Sequence, residues 1–327
     1  MATKSEYRVS NGGNPFTVID NNGNFRPSGV FGNTYFVDYR NGADTNNGLS
    51  KSNSFKTLSA AYAACTSNNN DLIYIDGDST VTETAMITWA KNRITVIGVG
   101  GYGHYGQAAK VSVGVTAAAT DIATMQVSGV RNTFIGVKFM NSNTVAEALY
   151  GVAEGGEFTT YVNCEFYKST DLDETAASEF LHNGDSTKFY DCTFGSTANI
   201  IATGKIRPNV LVTATLSGKK CRDTYFQNCL FLSKAGGTAH CAIYGANATD
   251  VERMFVLKGC QFFNNPLSAA TPAIGVSFGA AQTEGAVIID PACYSVDFSV
   301  LGETGVGVYT LAPDSPTYAT AGLSVAA

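Results

Sequence analysis

Between residues 134 and 262 one short phrase recurs: Phe134-Ile-Gly-Val-Lys-Phe139, Tyr161-Val-Asn-Cys-Glu-Phe166, Phe189-Tyr-Asp-Cys-Thr-Phe194, Phe226-Gln-Asn-Cys-Leu-Phe231 and Leu257-Lys-Gly-Cys-Gln-Phe262. Aligned, the copies place Val137, Cys164, Cys192, Cys229 and Cys260 at one position and Phe139, Phe166, Phe194, Phe231 and Phe262 two places on. The intervals are 27 (137 to 164), 28 (164 to 192), 37 (192 to 229) and 31 (229 to 260) residues. Each copy reads as a strand followed by a turn. Alternate residues of a strand share a face, so the Cys/Phe positions form the interior. Lys138, Glu165, Thr193, Leu230 and Gln261 point the other way, and four of those five are polar.

One strand motif per 20 to 50 residues is the signature of a solenoid. The units lack helical i, i+3, i+4 spacing and are rich in Thr, Val, Ile, Phe and Tyr, which suit a pleated surface. Leucines are too scattered for leucine-rich repeats. What remains is an all-β coil stacked on its previous turn at about 4.7–4.9 Å. At 327 residues a solenoid remains one domain, because it grows by adding coils.

Charged residues make up 15% of the chain and glycines number 34, a composition suited to short strands joined by tight turns. The net charge of −6 comes with no basic stripe, which argues against nucleic acid and anionic membrane as partners. The first residues, Met1-Ala-Thr-Lys-Ser-Glu-Tyr-Arg, lack the apolar core of a secretory signal, and synthesis in a cytoplasm is expected. The eight cysteines are therefore read as reduced and buried, with Cys164, Cys192, Cys229, Cys260 and Cys293 on one ladder. Parallel neighbours stand farther apart than a disulfide allows. Without a CxxC or Cys/His cluster no metal is expected, and no cofactor.

Residues 1–33 are too short to bury a core and read as an arm, either free or ordered against a surface. In Thr34-Tyr-Phe-Val-Asp38 a first strand is expected. A turn-rich loop with Asp44 and Asn46 follows, then a helix over about 54–66 capped by Ser54, with Leu58, Ala61, Tyr62 and Cys65 on its buried face. Such a helix closes the open end of a solenoid. Asp38, Asp44 and Asn46 are weighed as a calcium set, though the EF-hand spacing is absent. The glycine-rich Gly98–Gly106 segment is read as a surface loop rather than a nucleotide cradle. Its Tyr102, His104 and Tyr105 form a candidate contact loop, for packing on a neighbouring subunit or for stacking on sugars. Ala286–Tyr294 reads as a final degenerate coil, placing the solenoid at 34–300 and an extended tail at 301–327.

The strand, the "NGADTNNGLS" loop, the "SFKTLSAAYAA" helix and the Cys/Phe phrase together resemble the right-handed parallel β-helix of the pectate-lyase-like superfamily over about residues 34–300. That resemblance implies the fold, and it brings polysaccharide lyases, polygalacturonases and pectin methylesterases into consideration. The lyases imply clustered carboxylates holding calcium and an Arg or Lys base, whereas the outward repeat positions place no acid beside Glu165. Gly184-Asp-Ser-Thr-Lys-Phe-Tyr-Asp-Cys-Thr-Phe-Gly195 looks like a pectin methylesterase coil, but Asn199 stands where that motif has its catalytic Asp and the "QDTL" segment is missing. An amide cannot replace a carboxylate as nucleophile or base. His104, His182 and His240 are scattered, and Cys241 beside His240 reads as core. The acidic stretch Asp171, Asp173, Glu174, Glu179 and Asp185 reads as a solvated face, with Asp171, Asp173 and Glu174 as weak carbohydrate-site candidates.

Small phage structural β-helix proteins are a further resemblance. The expectation is accordingly a non-enzymatic virion protein: an exposed capsid decoration or fibre-type protein, a homotrimer by preference, anchored to capsid or tail proteins by its N-terminal arm. Alternatives are a polysaccharide-binding or -degrading tailspike-type enzyme, with surface glycans as partners, and an adhesin.

Overall fold

The computed structural model describes residues 32–100, 106–113, 122–142, 148–168, 177–198, 200–213, 220–265, 274–302 and 307–310, with short antiparallel strands pairing Tyr7–Arg8, Val18–Ile19 and Phe25–Arg26. The chain winds through three parallel sheets in a repeating order. Sheet A has ten strands, from Thr34–Val37 and Leu72–Ile75 to Val308–Thr310. Sheet B has eight, from Thr80–Glu83 to Tyr294–Val296, and sheet C has eight, from Ile87–Trp89 to Val300–Gly302.

The recurring phrase is a strand, a corner and a second strand, which corrects the strand-then-turn reading. Thr133–Ile135 lies in sheet A and Val137–Asn141 in sheet B. Between them Gly136 has φ 65°, and Asn163, Asp191, Asn228 and Gly259 occupy the same left-handed corner with φ 50°, 53°, 53° and 60°. Gly, Asn and Asp are the residues that enter this region at least cost. Backbone pairing continues through the corner: the N–H groups of Gly136, Asn163, Asp191 and Asn228 donate to the next coil at 2.9–3.0 Å. Each phrase therefore sends an aromatic or aliphatic side chain inward from sheet A and a phenylalanine inward from sheet B.

Stacking in register turns these into continuous rows. In sheet A the inward row includes Phe134, Tyr161, Phe189, Phe226 and Leu257; in sheet B it is Phe139, Phe166, Phe194, Phe231 and Phe262. Rings stack at 4.4 Å (Phe189 on Phe226), 4.6 Å (Phe231 on Phe262) and 4.9 Å (Phe166 on Phe194). The row facing them from sheet C includes Val152, Phe180, Val210 and Ile243, and Phe180 meets Phe166 edge to face at 4.7 Å. Val137, Cys164, Cys192, Cys229 and Cys260 are fully buried, as is Cys293 nearly so, and all eight cysteines are free thiols. Desolvation pushes the Cys192, Cys229 and Cys260 thiols well above their ordinary range, so they remain protonated and inert.

The capping helix spans Leu58–Ala64, shorter than the expected 54–66, and its N-cap is Thr57 rather than Ser54. Leu58, Ala61 and Cys65 are buried in the core with Tyr62 packed against it, so the expected face is the one that docks. Side chains from the next coil hold both ends. Glu83 accepts from the Leu58 N–H at 2.8 Å and the Ser59 hydroxyl at 2.5 Å. Lys91 Nζ donates to the carbonyls of Tyr62, Ala63 and Cys65 at 2.7–2.8 Å. Both placements complement the helix dipole. Tyr62 also stacks on Trp89 at 4.3 Å and accepts the Ala90 and Lys91 N–H groups. Lys91→Ala is expected to destabilise the cap by about 1–2 kcal/mol. Hydrogen exchange would show faster opening of amides 58–65 with protection in the later coils unchanged; uniform loosening would contradict a local role.

The sheets extend past the expected boundary at residue 300, since Val300–Gly302 and Val308–Thr310 are the last strands of sheets C and A. No helix among the described residues is long and apolar enough to cross a membrane.

Candidate functional site

Sequence points to the outward row of sheet B, and the structure brings Lys110, Lys138, Glu165, Thr193, Leu230 and Gln261 into register there. Glu165 is buried rather than solvent-facing. Lys138 Nζ sits 2.9 Å from Oε2, while Oε1 accepts the Gln107 N–H at 2.7 Å and the Gly106 N–H. This carboxylate thus ties down the end of the Gly98–Gly106 segment through Oε1 and pairs with Lys138 through Oε2. Tyr102, His104 and Tyr105 lie outside the described residues, as do Asp171, Asp173, Glu174 and Asn199.

A long connection, residues 196–209, runs from sheet B to sheet C, and a buried ion pair lies near its root. Where the 169–176 segment leaves Lys168, the Glu179 carboxylate accepts the Lys168 N–H and Arg207 donates to the Lys168 carbonyl at 3.0 Å. Arg207 Nη1 also meets Glu179 Oε1 at 3.0 Å, with side-chain exposures of 2% and 5%. The pair thus satisfies both backbone groups of Lys168. Burial raises the Glu179 carboxyl, opposed by the adjacent guanidinium. Glu179 thereby separates from the acidic stretch read as a solvated face. Asp185, half-buried, is 3.6 Å from Arg222.

His240 is nearby, with Nε2 2.7 Å from Ser233 Oγ and Nδ1 2.9 Å from the Ile206 carbonyl. Cys241 beside it is buried, as expected. His182 faces inward from sheet C and its Nε2 is 2.7 Å from Thr224 Oγ1. Desolvation lowers the two imidazoles to about 3 (His182) and about 4 (His240), which keeps them neutral. One coil from His182, in register, stands the fully buried Glu154. It accepts from the Tyr161 hydroxyl and the Gly156 N–H, both at 2.6 Å.

Desolvation outweighs those hydrogen bonds and raises the Glu154 carboxyl from 4.5 to about 7. An acid with a raised folded value contributes fully below its unfolded value, and that contribution is lost as pH climbs to the folded value. Between pH 4.5 and 7 the loss is about 3 kcal/mol. The histidines act in the opposite direction, losing stability as pH falls below 6.5. Denaturant titrations are expected to show that Glu154→Gln flattens the decline toward neutral pH relative to wild type; parallel profiles would contradict the assignment.

The residues weighed as a calcium set hydrogen-bond within their own loop. Asp38 accepts the Arg40 and Asn41 N–H groups at 3.0 Å, Asp44 accepts those of Lys56 and Thr57 at 2.9 Å, and Asn46 donates to the Ser54 carbonyl at 2.9 Å. These residues shape the loop before the helix. Among the described residues no group of three or more His, Cys, Asp or Glu side chains is arranged to hold a metal ion.

With this architecture established, neither a family model nor a curated protein matches the chain. Solved structures do. A pectin methylesterase from Aspergillus niger superposes with TM-score 0.54 at 12% identity, covering 88% of this chain and 82% of its own. A rhamnogalacturonan lyase gives 0.55 at 14% identity over 81% and 68%. Pectate lyase Pel9A gives 0.50 at 19% identity over 86% and 74%. The chain thus has the right-handed parallel β-helix fold that these enzymes share; at these identities the likeness is one of fold.

Proposed function

We propose that this chain is a non-enzymatic structural protein of a bacteriophage virion, an exposed capsid decoration or fibre-type component, homotrimeric and anchored to capsid or tail proteins through residues 1–33. The observation that carries the reading is the use made of charge. Glu165, Glu179 and Glu83 each spend their oxygens on fastening a loop, a strand end or the capping helix. Inside the coils, aromatic rows run from Phe134 to Phe226 in sheet A and from Phe139 to Phe262 in sheet B. Side chains used in this way make a stiff rod, which is what a spacer or decoration on a particle requires. Immunogold electron microscopy of a phage lysate tests the proposal: label on particle exteriors is expected, and label confined to free protein would overturn it.

Polysaccharide binding or cleavage is a second reading, favoured by the fold shared with pectin methylesterase and the two lyases. Cleavage assays on acidic polysaccharides, with and without calcium, separate the two. Robust turnover abolished by Asp171→Asn or Asp173→Asn would replace the structural reading.

A further inference from the structure

Strand Leu72–Ile75 is buried on both faces. Ile73 and Ile75 belong to the main core, whereas Leu72 and Tyr74 join a separate cluster with Ile97, Phe36 and Ile135. These five are the outward residues of neighbouring sheet A strands. Leu72 has 0% exposure and Tyr74 and Ile97 have 6% each, yet among the described residues every member of the cluster lies in sheet A itself. Farther along the outward row, Ile135, Val162 and Tyr190 are half-buried. Coil neighbours about 4.8 Å away shield the flanks of an outward side chain and leave its tip in water. Full burial at Leu72 and near-burial at Tyr74 therefore require a covering segment at this end of the face.

The chain delivers a segment to that point. The Gly32 N–H donates to the Asn70 carbonyl at 3.3 Å, the Asn33 N–H to Asp71 Oδ1 at 2.6 Å, and the Leu72 N–H to the Asn33 carbonyl at 2.9 Å. A Cβ on Gly32 would collide with Asp71 and Asn69, so this junction is pinned close. The preceding residues include Phe16, Val18, Ile19, Phe25 and Phe31. Their backbone pairs Tyr7–Arg8 with Val18–Ile19 and Val18–Ile19 with Phe25–Arg26. A ribbon of two-residue strands is not stable on its own and gains stability by laying an apolar face on another surface.

We propose that the outer face of sheet A around Leu72, Tyr74 and Ile97 is the docking site for the chain's own residues 1–31. The inference is independent of the virion reading. It places any surface gripped by those residues on the sheet A side of the rod.

The test uses the full chain with p-benzoylphenylalanine in place of Ile135, photolysed and mapped by peptide mass spectrometry. Cross-links to residues 1–31 of the same chain are expected, at a yield unchanged over roughly hundred-fold dilution. Cross-links between chains that disappear on dilution would assign the face to a second copy and overturn the proposal, as would the absence of any link to residues 1–31. Hydroxyl-radical footprinting of the wild-type chain gives a second readout free of substitution. Tyr74 is expected to be roughly three-fold less oxidised than half-buried Tyr190 at the lowest workable concentration, and equal oxidation would overturn the assignment.

Discussion

Replacing Phe189 with alanine is expected to cost about 3–5 kcal/mol of stability. Phe189 has no exposed surface. It stacks on Tyr161 at 5.2 Å and Phe226 at 4.4 Å and meets Phe180 edge to face at 5.1 Å. Removing the ring leaves a void between coils whose spacing is set by backbone hydrogen bonds, so the walls cannot close on it. Because solenoid stability is propagated through neighbouring repeats, the loss is expected to split one denaturant transition into two. The halves on either side of residue 189 would then unfold at different midpoints, as read by circular dichroism together with hydrogen exchange. A cost below about 1 kcal/mol would show that the core is slack at this position.

Arg207→Ala is expected to cost about as much, 3–5 kcal/mol, for a different reason. It takes the guanidinium from the Glu179 carboxylate, whose side chain is 5% exposed, leaving it the Lys168 N–H and charge, and it removes the donor to the Lys168 carbonyl. The paired variant Arg207→Met with Glu179→Leu removes both charges. It is expected to recover part of the loss: the unpaired carboxylate is relieved, but the Lys168 N–H and carbonyl lose these partners and the buried Lys168 ammonium loses the Glu179 charge. A double-mutant cycle by urea denaturation measures this directly. Purely additive effects would mean that the two side chains do not act as a unit.

The inward rows are legible in the sequence because strand side chains alternate, so Cys164 and Phe166, or Cys192 and Phe194, advertise a shared face. The corner was legible too, in the Gly, Asn or Asp before each Val or Cys: Gly136, Asn163, Asp191, Asn228 and Gly259 all take positive φ. Reading those residues as part of one strand hid the change of sheet. The ion pair of Glu179 with Arg207 and the clamping of the capping helix by Glu83 and Lys91 carry no local signature. Their partners are adjacent only after the chain has completed a coil, as when Glu83 meets Leu58 and Ser59 from the preceding one. Glu165 misled for the same reason: strand alternation turns it outward, and a segment folding back over sheet B at Gly106 and Gln107 then buries it.

The central claim is that this rod is a component of a phage particle. The most direct test is quantitative mass spectrometry of gradient-purified particles from the phage encoding it. The account predicts this chain in the particles at a fixed copy number relative to the major capsid protein, in multiples of three. Its absence from purified particles, with the chain abundant in the lysate supernatant, would contradict the account.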